Sequence, residues 1–141
     1  MKELKKLVKE FIETRKEIQR LCEAFDYELE DKAIRSLPKI LKEKYNIEII
    51  EELKRGYLKI SGKDIKVNIY GKVKKDEEEY ILIGAAKSEI SKKIIDNFIK
   101  KCRKISKKSI KVLVSYKFPP EIKKYAEKKG IILILSYELK R

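Results

Sequence analysis

Three apolar runs decide the fold: Tyr80-Ile81-Leu82-Ile83-Gly84, Ile110-Lys111-Val112-Leu113-Val114 and Ile131-Ile132-Leu133-Ile134-Leu135. Each is short, β-branched and largely without polar alternation, as expected of strands covered on both faces. The segments between them read as helices. Ser91 to Ile105 carries Ile94, Ile95, Phe98, Ile99 and Cys102 on one side. Pro119-Pro120 opens a second helix that runs through Lys129, and Gly130 supplies its C′ position. Strand, helix, strand, helix, strand implies parallel crossovers and an α/β core with a central sheet flanked by helices.

Upstream, the pattern begins with helix and changes to strand. Leu4, Phe11, Ile18 and Phe25 recur every seven residues, with Leu7 and Leu21 at the intervening d positions and Thr14 and Glu28 interrupting them. Val8, Ile12 and Cys22 widen the stripe. A short coiled coil and a helix packed on its own domain both give this pattern, so dimerisation or a partner through residues 1–28 is one of two readings. Cys22 and Cys102, on apolar stripes, read as small core residues. Around Phe25 to Tyr27 the seam loses register, and a second helical segment extends to about Tyr45, with Pro38 kinking it or opening its second half. Strands are expected at Asn46–Ile50, Tyr57–Ile60 and Ile65–Tyr70, with Gly71 to Glu79 as a charged connection. The economical organisation is a helical extension over 1–28 and one α/β domain over 29–141.

The chain has 141 residues and a net charge of +14, from 37 Lys and Arg against 23 Asp and Glu. Without a histidine, it can hold no His-based triad, zinc ligand or imidazole acid–base pair. Two cysteines cannot build a zinc site alone or a disulfide framework, which points to a reducing cytoplasm. No apolar run approaches the ~20 residues that span a bilayer, so no membrane partner is expected. High Lys and Glu with few amides resembles a hyperthermophile composition, which would explain the charge without any ligand. The distribution argues otherwise. Residues 87–129 hold 15 basic side chains against four acidic ones, whereas 61–86 balance at five and five. Lys92, Lys93, Lys100, Lys101, Arg103 and Lys104 lie off the apolar stripe of their helix, and Lys107, Lys108 and Lys111 extend the cluster. Such a face suits the phosphate backbone of DNA or RNA, without base-specific readout. Tyr70, Tyr80, Tyr116 and Tyr125 are candidates for base stacking or for ordinary packing.

The order helix, three strands, helix, strand resembles the PD-(D/E)XK, or restriction-endonuclease-like, nuclease superfamily. The resemblance is carried by Val67-Asn68-Ile69-Tyr70-Gly71, by Ile83-Gly84-Ala85-Ala86-Lys87-Ser88, and by Lys111 to Ser115 through Tyr125 to Ile131. It also takes in Ala33-Ile34-Arg35 and Leu37-Pro38, and covers about residues 29–137. The likeness is to a largely uncharacterised archaeal and bacterial group with an N-terminal coiled coil. In that superfamily an Asp, and an acid two residues before a Lys, hold Mg²⁺ that activates water. Here the resemblance puts Asn68 and Ala85 at the acid positions and leaves Lys87 as the motif lysine. It therefore implies a degenerate nuclease-like protein with no metal or cofactor, Mg²⁺ returning only if an acid has relocated. Asp31, Asp64, Glu79, Glu89 and Asp96 are the candidates for that relocation. The alternatives are an active Mg²⁺-dependent nuclease, or a non-enzymatic scaffold dimerising through the first helix.

Overall fold

The computed structural model describes residues 2–139 as three helices and one five-stranded sheet. Helix α1 (Lys2–Tyr45) is a single element, not two. It contains no glycine, and Pro38 lies inside it. Leu37, Ile40 and Leu41 are buried around the proline, so packing on the sheet holds the turns on both sides of the missing N–H. Asn46, expected in a strand, instead takes a left-handed φ of 54° and ends the helix, with Ile47 N–H donating to the Leu41 carbonyl at 3.0 Å.

Strands β1 (Glu48–Ile60), β2 (Lys63–Lys75) and β3 (Glu78–Ala86) form an antiparallel meander. Helix α2 (Lys92–Ile105) leads to β4 (Ser109–Ser115), and α3 (Pro120–Lys128) leads to β5 (Ile131–Leu135). Both β4 and β5 join in parallel, giving the mixed order β1-β2-β3-β4-β5. Ser91 caps α2, its side chain accepting from Ile94 N–H at 3.2 Å. The expected connection from Gly71 to Glu79 is mostly strand. Its turn is only Asp76-Glu77, at φ of 51° and 66°, as a two-residue hairpin of the primed type requires.

Two cores sandwich the sheet. On one face Leu29, Ala33, Leu37 and Leu41 of α1 pack on Ile69, Leu82 and Val112. On the other, Ile95, Phe98, Ile99 and Cys102 of α2 pack on Val67, Ile83 and Leu113. Burial in α1 begins at Leu29; Leu4, Leu7, Phe11, Ile18, Leu21 and Phe25 are all exposed. The apolar stripe of the first 28 residues is therefore not packed on the chain's own domain, and Cys22 is exposed instead of being a core residue. Among the described residues, no helix is long and apolar enough to cross a membrane.

Candidate functional site

Val67 belongs to the α2-side core and Ile69 to the α1-side core, although two residues apart on a strand normally share a face. The pairing explains the switch. Lys54 opposes Tyr70 and Gly56 opposes Val67, so β2 spends three steps where β1 spends two. The extra residue is a β-bulge at Asn68-Ile69, a device that re-aims side chains next to functional clefts. Pairing of β2 with β3 stops at Ile69 opposite Gly84. Asn68 and Ala85 are next on each strand, where the two strands part.

Asn68, Ala85 and Lys87 line one cleft of about 190 Å³, together with Asn97, Phe98 and Lys101 of α2. Gly84 lets the strands close beneath it, since a Cβ there would meet the Ile69 Cβ and the Val112 carbonyl at 3.3 Å. Lys87 is anchored by its backbone N–H, which donates to the Val114 carbonyl at 2.9 Å. An adjoining pocket adds Glu23, Asp26, Tyr27, Glu30, Arg55 and Lys66.

The carboxylate that reaches Asn68 is Glu30, which is only 4% exposed. Its Oε2 accepts from Asn68 Nδ2 at 2.9 Å and its Oε1 accepts from Arg55 Nε at 2.5 Å. Arg55 also donates to Asp31 Oδ1 at 2.9 Å and lies over the Tyr27 ring at 4.1 Å. The pairing raises the Arg55 pKa further against the opposing effect of burial. Asp26 Oδ1 accepts from the Ser88 backbone N–H at 2.5 Å, tying α1 to the segment after β3.

Of the acids considered for relocation, Asp31 is exposed and held by Arg55. Asp64 lines a separate groove, Glu79 pairs with Lys72 at 3.6 Å, and Asp96 accepts from the Tyr125 hydroxyl. Glu89 is exposed and, like those three, absent from the lining around Asn68 and Lys87. Among the described residues, no three acidic or thiol side chains are grouped to hold a metal ion. A hard divalent cation does not fit this donor set: Asn68 and Ala85 offer the cleft no carboxylate, and Glu30 is already bonded to a guanidinium and an amide N–H.

Positive charge borders the cleft instead. Lys101 is half-buried, and its pKa is lowered by burial first, then by the Lys87 ammonium and more weakly by Lys66. Lys101 also enters the groove beside the β1–β2 turn, with Lys63, Lys100 and Lys104. A lysine track therefore runs from Lys87 along one side of α2.

The basic residues of 92–108 do not form one face. Lys100, Lys101 and Lys104 join Lys87 on this track. Lys92 lies on the α3 side, 5.5 Å from the Tyr125 ring, and Arg103, eleven residues on, shares that side of the helix. Lys93 and Lys107 are exposed elsewhere, while Lys108 approaches Glu78 at 3.6 Å and the Tyr80 ring at 5.1 Å. Tyr70, Tyr80 and Tyr125 each have a lysine over the ring, leaving Tyr116 the exposed one of the four.

Sequence reasoning missed Glu30, Arg55, Lys66 and Asn97. A signal existed for the first: Glu23, Asp26, Tyr27 and Glu30 follow i, i+3, i+4, i+7 spacing and so share one helix face. Arg55 had none, because only folding brings β1 over α1. Compared with protein-family models, curated proteins and solved structures, the chain matches none of them.

Proposed function

We propose that this chain is a catalytically silent PD-(D/E)XK-like protein whose cleft takes the phosphate backbone of DNA or RNA. One observation carries the reading: the buried Glu30 carboxylate is paired with Arg55, while Lys66 and Lys87 border the same pocket and Lys87 and Lys101 border the adjoining cleft. An ammonium whose pKa is depressed by burial, and then by neighbouring ammonium groups, is stabilised when an anion binds beside it. The order helix, three strands, helix, strand, with a meander and a parallel fourth strand, supports the resemblance. So does the convergence of Asn68, Ala85 and Lys87.

Fluorescence anisotropy with a labelled 20-base-pair duplex and a 20-nucleotide RNA tests the proposal. About four neutralised phosphates lower affinity roughly 100-fold between 50 and 200 mM salt. The double substitution K87A/K101A should flatten that salt dependence, and neither nucleic acid should be cut in Mg²⁺ or Mn²⁺. Cleavage abolished by Lys87→Ala would overturn the silent-cleft reading. No binding to either probe at 50 mM salt would overturn the nucleic-acid reading and favour a scaffold.

A further inference from the structure

Residues 2–28 of α1 present an apolar a/d seam that Thr14 and Glu28 interrupt. Leu4, Phe11, Ile18 and Phe25 occupy the a positions, and Leu7 and Leu21 occupy d positions. These six side chains are between 50% and 63% exposed, and Val8 and Ile12 are exposed beside them. If each of the six seam side chains gives up about 100 Å², one copy buries about 600 Å² against another, about 1,200 Å² in all, which reaches the lower end of a standard stable interface. The charges flanking the seam select the occupant and its direction. Glu3, Glu10 and Glu17 fall at g positions and Arg15 at an e position. Among the described residues, none of the four has an ion-pair partner. In a parallel pair each g residue faces the e′ residue five further on, so Glu10 meets Arg15 of the second copy, twice by symmetry. An antiparallel pair sets g against g′ and brings the glutamates together. Thr14, the polar residue at the central d position, donates to the Glu10 carbonyl at 2.9 Å and so enters the seam with its hydroxyl proton satisfied.

We propose that residues 2–28 form a parallel, in-register two-stranded coiled coil with a second copy of this chain. The pairing stands apart from any nucleic-acid binding. It leaves the α/β cores untouched, because no seam residue belongs to either core.

The test uses the full chain. Sedimentation equilibrium at 5–50 µM should give a dimer. L7E/L21E should give a monomer that unfolds thermally with the same domain transition. In a Cys22→Ser background, Leu4→Cys should oxidise to a disulfide-linked dimer, since a parallel pair apposes the two copies of an a residue while an antiparallel pair places them about 30 Å apart. A wild-type monomer throughout, a dimer that survives L7E/L21E, or a dimer in which Leu4→Cys does not cross-link would each overturn the proposal.

Discussion

Asn68 Nδ2 donates a 2.9 Å hydrogen bond to Oε2 of Glu30, joining the bulge of β2 to the buried face of α1 across 38 residues of sequence. Where a metal-binding cleft would set two carboxylates around a cation, this one sets an amide N–H against one carboxylate and closes the other side with Arg55. The cleft lacks two negative charges, not space, because Ala85 lines a volume that a longer side chain can enter.

Placing carboxylates at Asn68 and Ala85 is therefore expected to create a cation site. N68D/A85E should bind Mn²⁺ saturably, measured by calorimetry or by paramagnetic broadening, while the wild-type chain shows no saturable binding. The same variant should be less stable than wild type without the ion, because Asn68→Asp sets a second carboxylate where an amide N–H had donated to Glu30. Mn²⁺ should return part of the loss. An Mn²⁺-indifferent double variant would mean that the cleft differs from a metal site in more than charge.

Arg55 is the counter-ion of a carboxylate only 4% exposed, and its own side chain is 31% exposed. Removing the partner of a buried charge costs about 3–5 kcal/mol, and partial solvent access reduces it. Arg55→Ala should thus destabilise on the order of 2 kcal/mol in urea denaturation. Adding Glu30→Gln should recover part of that loss, giving a favourable coupling in the double-mutant cycle. Additive effects would mean that the contact contributes nothing beyond its two separate side chains.

The parallel half of the fold was legible because Leu82, Val112, Leu113 and Ile134 sit in runs that only a doubly covered sheet explains. The β2–β3 ribbon was not. Lys72, Lys74 and Glu79 look like loop residues in sequence, yet the two lysines alternate with buried Gly71 and Val73, and Lys74 opposes Glu79 across the strands. Gly71 permits the close approach of β1, since a Cβ there would fall 2.7 Å from Leu53 Cδ2. Around the cleft, Asn68, Ala85 and Lys87 were singled out by the resemblance alone, and they come together because β2, β3 and the residue after β3 carry them. The Glu30–Arg55 contact was not, since it depends on how α1 crosses β1. The basic cluster was legible in amount but not in direction, as helical rotation sends Lys101 to the cleft and Lys92 to α3.

On the proposed nucleic-acid reading, the position of Lys101 predicts a particular pH dependence of affinity. Its pKa lies below the ordinary 10.5, through burial and the nearby Lys87 and Lys66 charges. An anion bound beside it raises that pKa, so affinity is fully present below the pKa of the free protein and is lost as pH rises through that of the complex. Anisotropy titrations should therefore weaken on the alkaline side before ordinary lysines discharge. Lys101→Arg should carry the affinity to higher pH, because guanidinium stays charged. An identical alkaline limb in both proteins would remove Lys101 from the binding surface.

Cys102 and Cys22 should differ sharply in reactivity. Burial pushes the Cys102 thiol from 9.0 up to about 11, and its side chain is fully enclosed in the α2-side core. At pH 8 only about a thousandth of such a thiol is ionised, and an alkylating reagent has no approach to it. Cys22 is exposed on α1. Iodoacetamide should add one label per native chain, at Cys22, and two after denaturation, counted by mass spectrometry. The raised pKa also affects stability: the contribution is whole below pH 9 and is lost as pH climbs towards 11, because the unfolded thiol ionises first. Cys102→Ala should be less stable than wild type at pH 7 through the lost packing, and its stability should fall less between pH 9 and 11. Equal slopes in the two proteins would show that Cys102 ionises as readily in the folded chain as in the unfolded one.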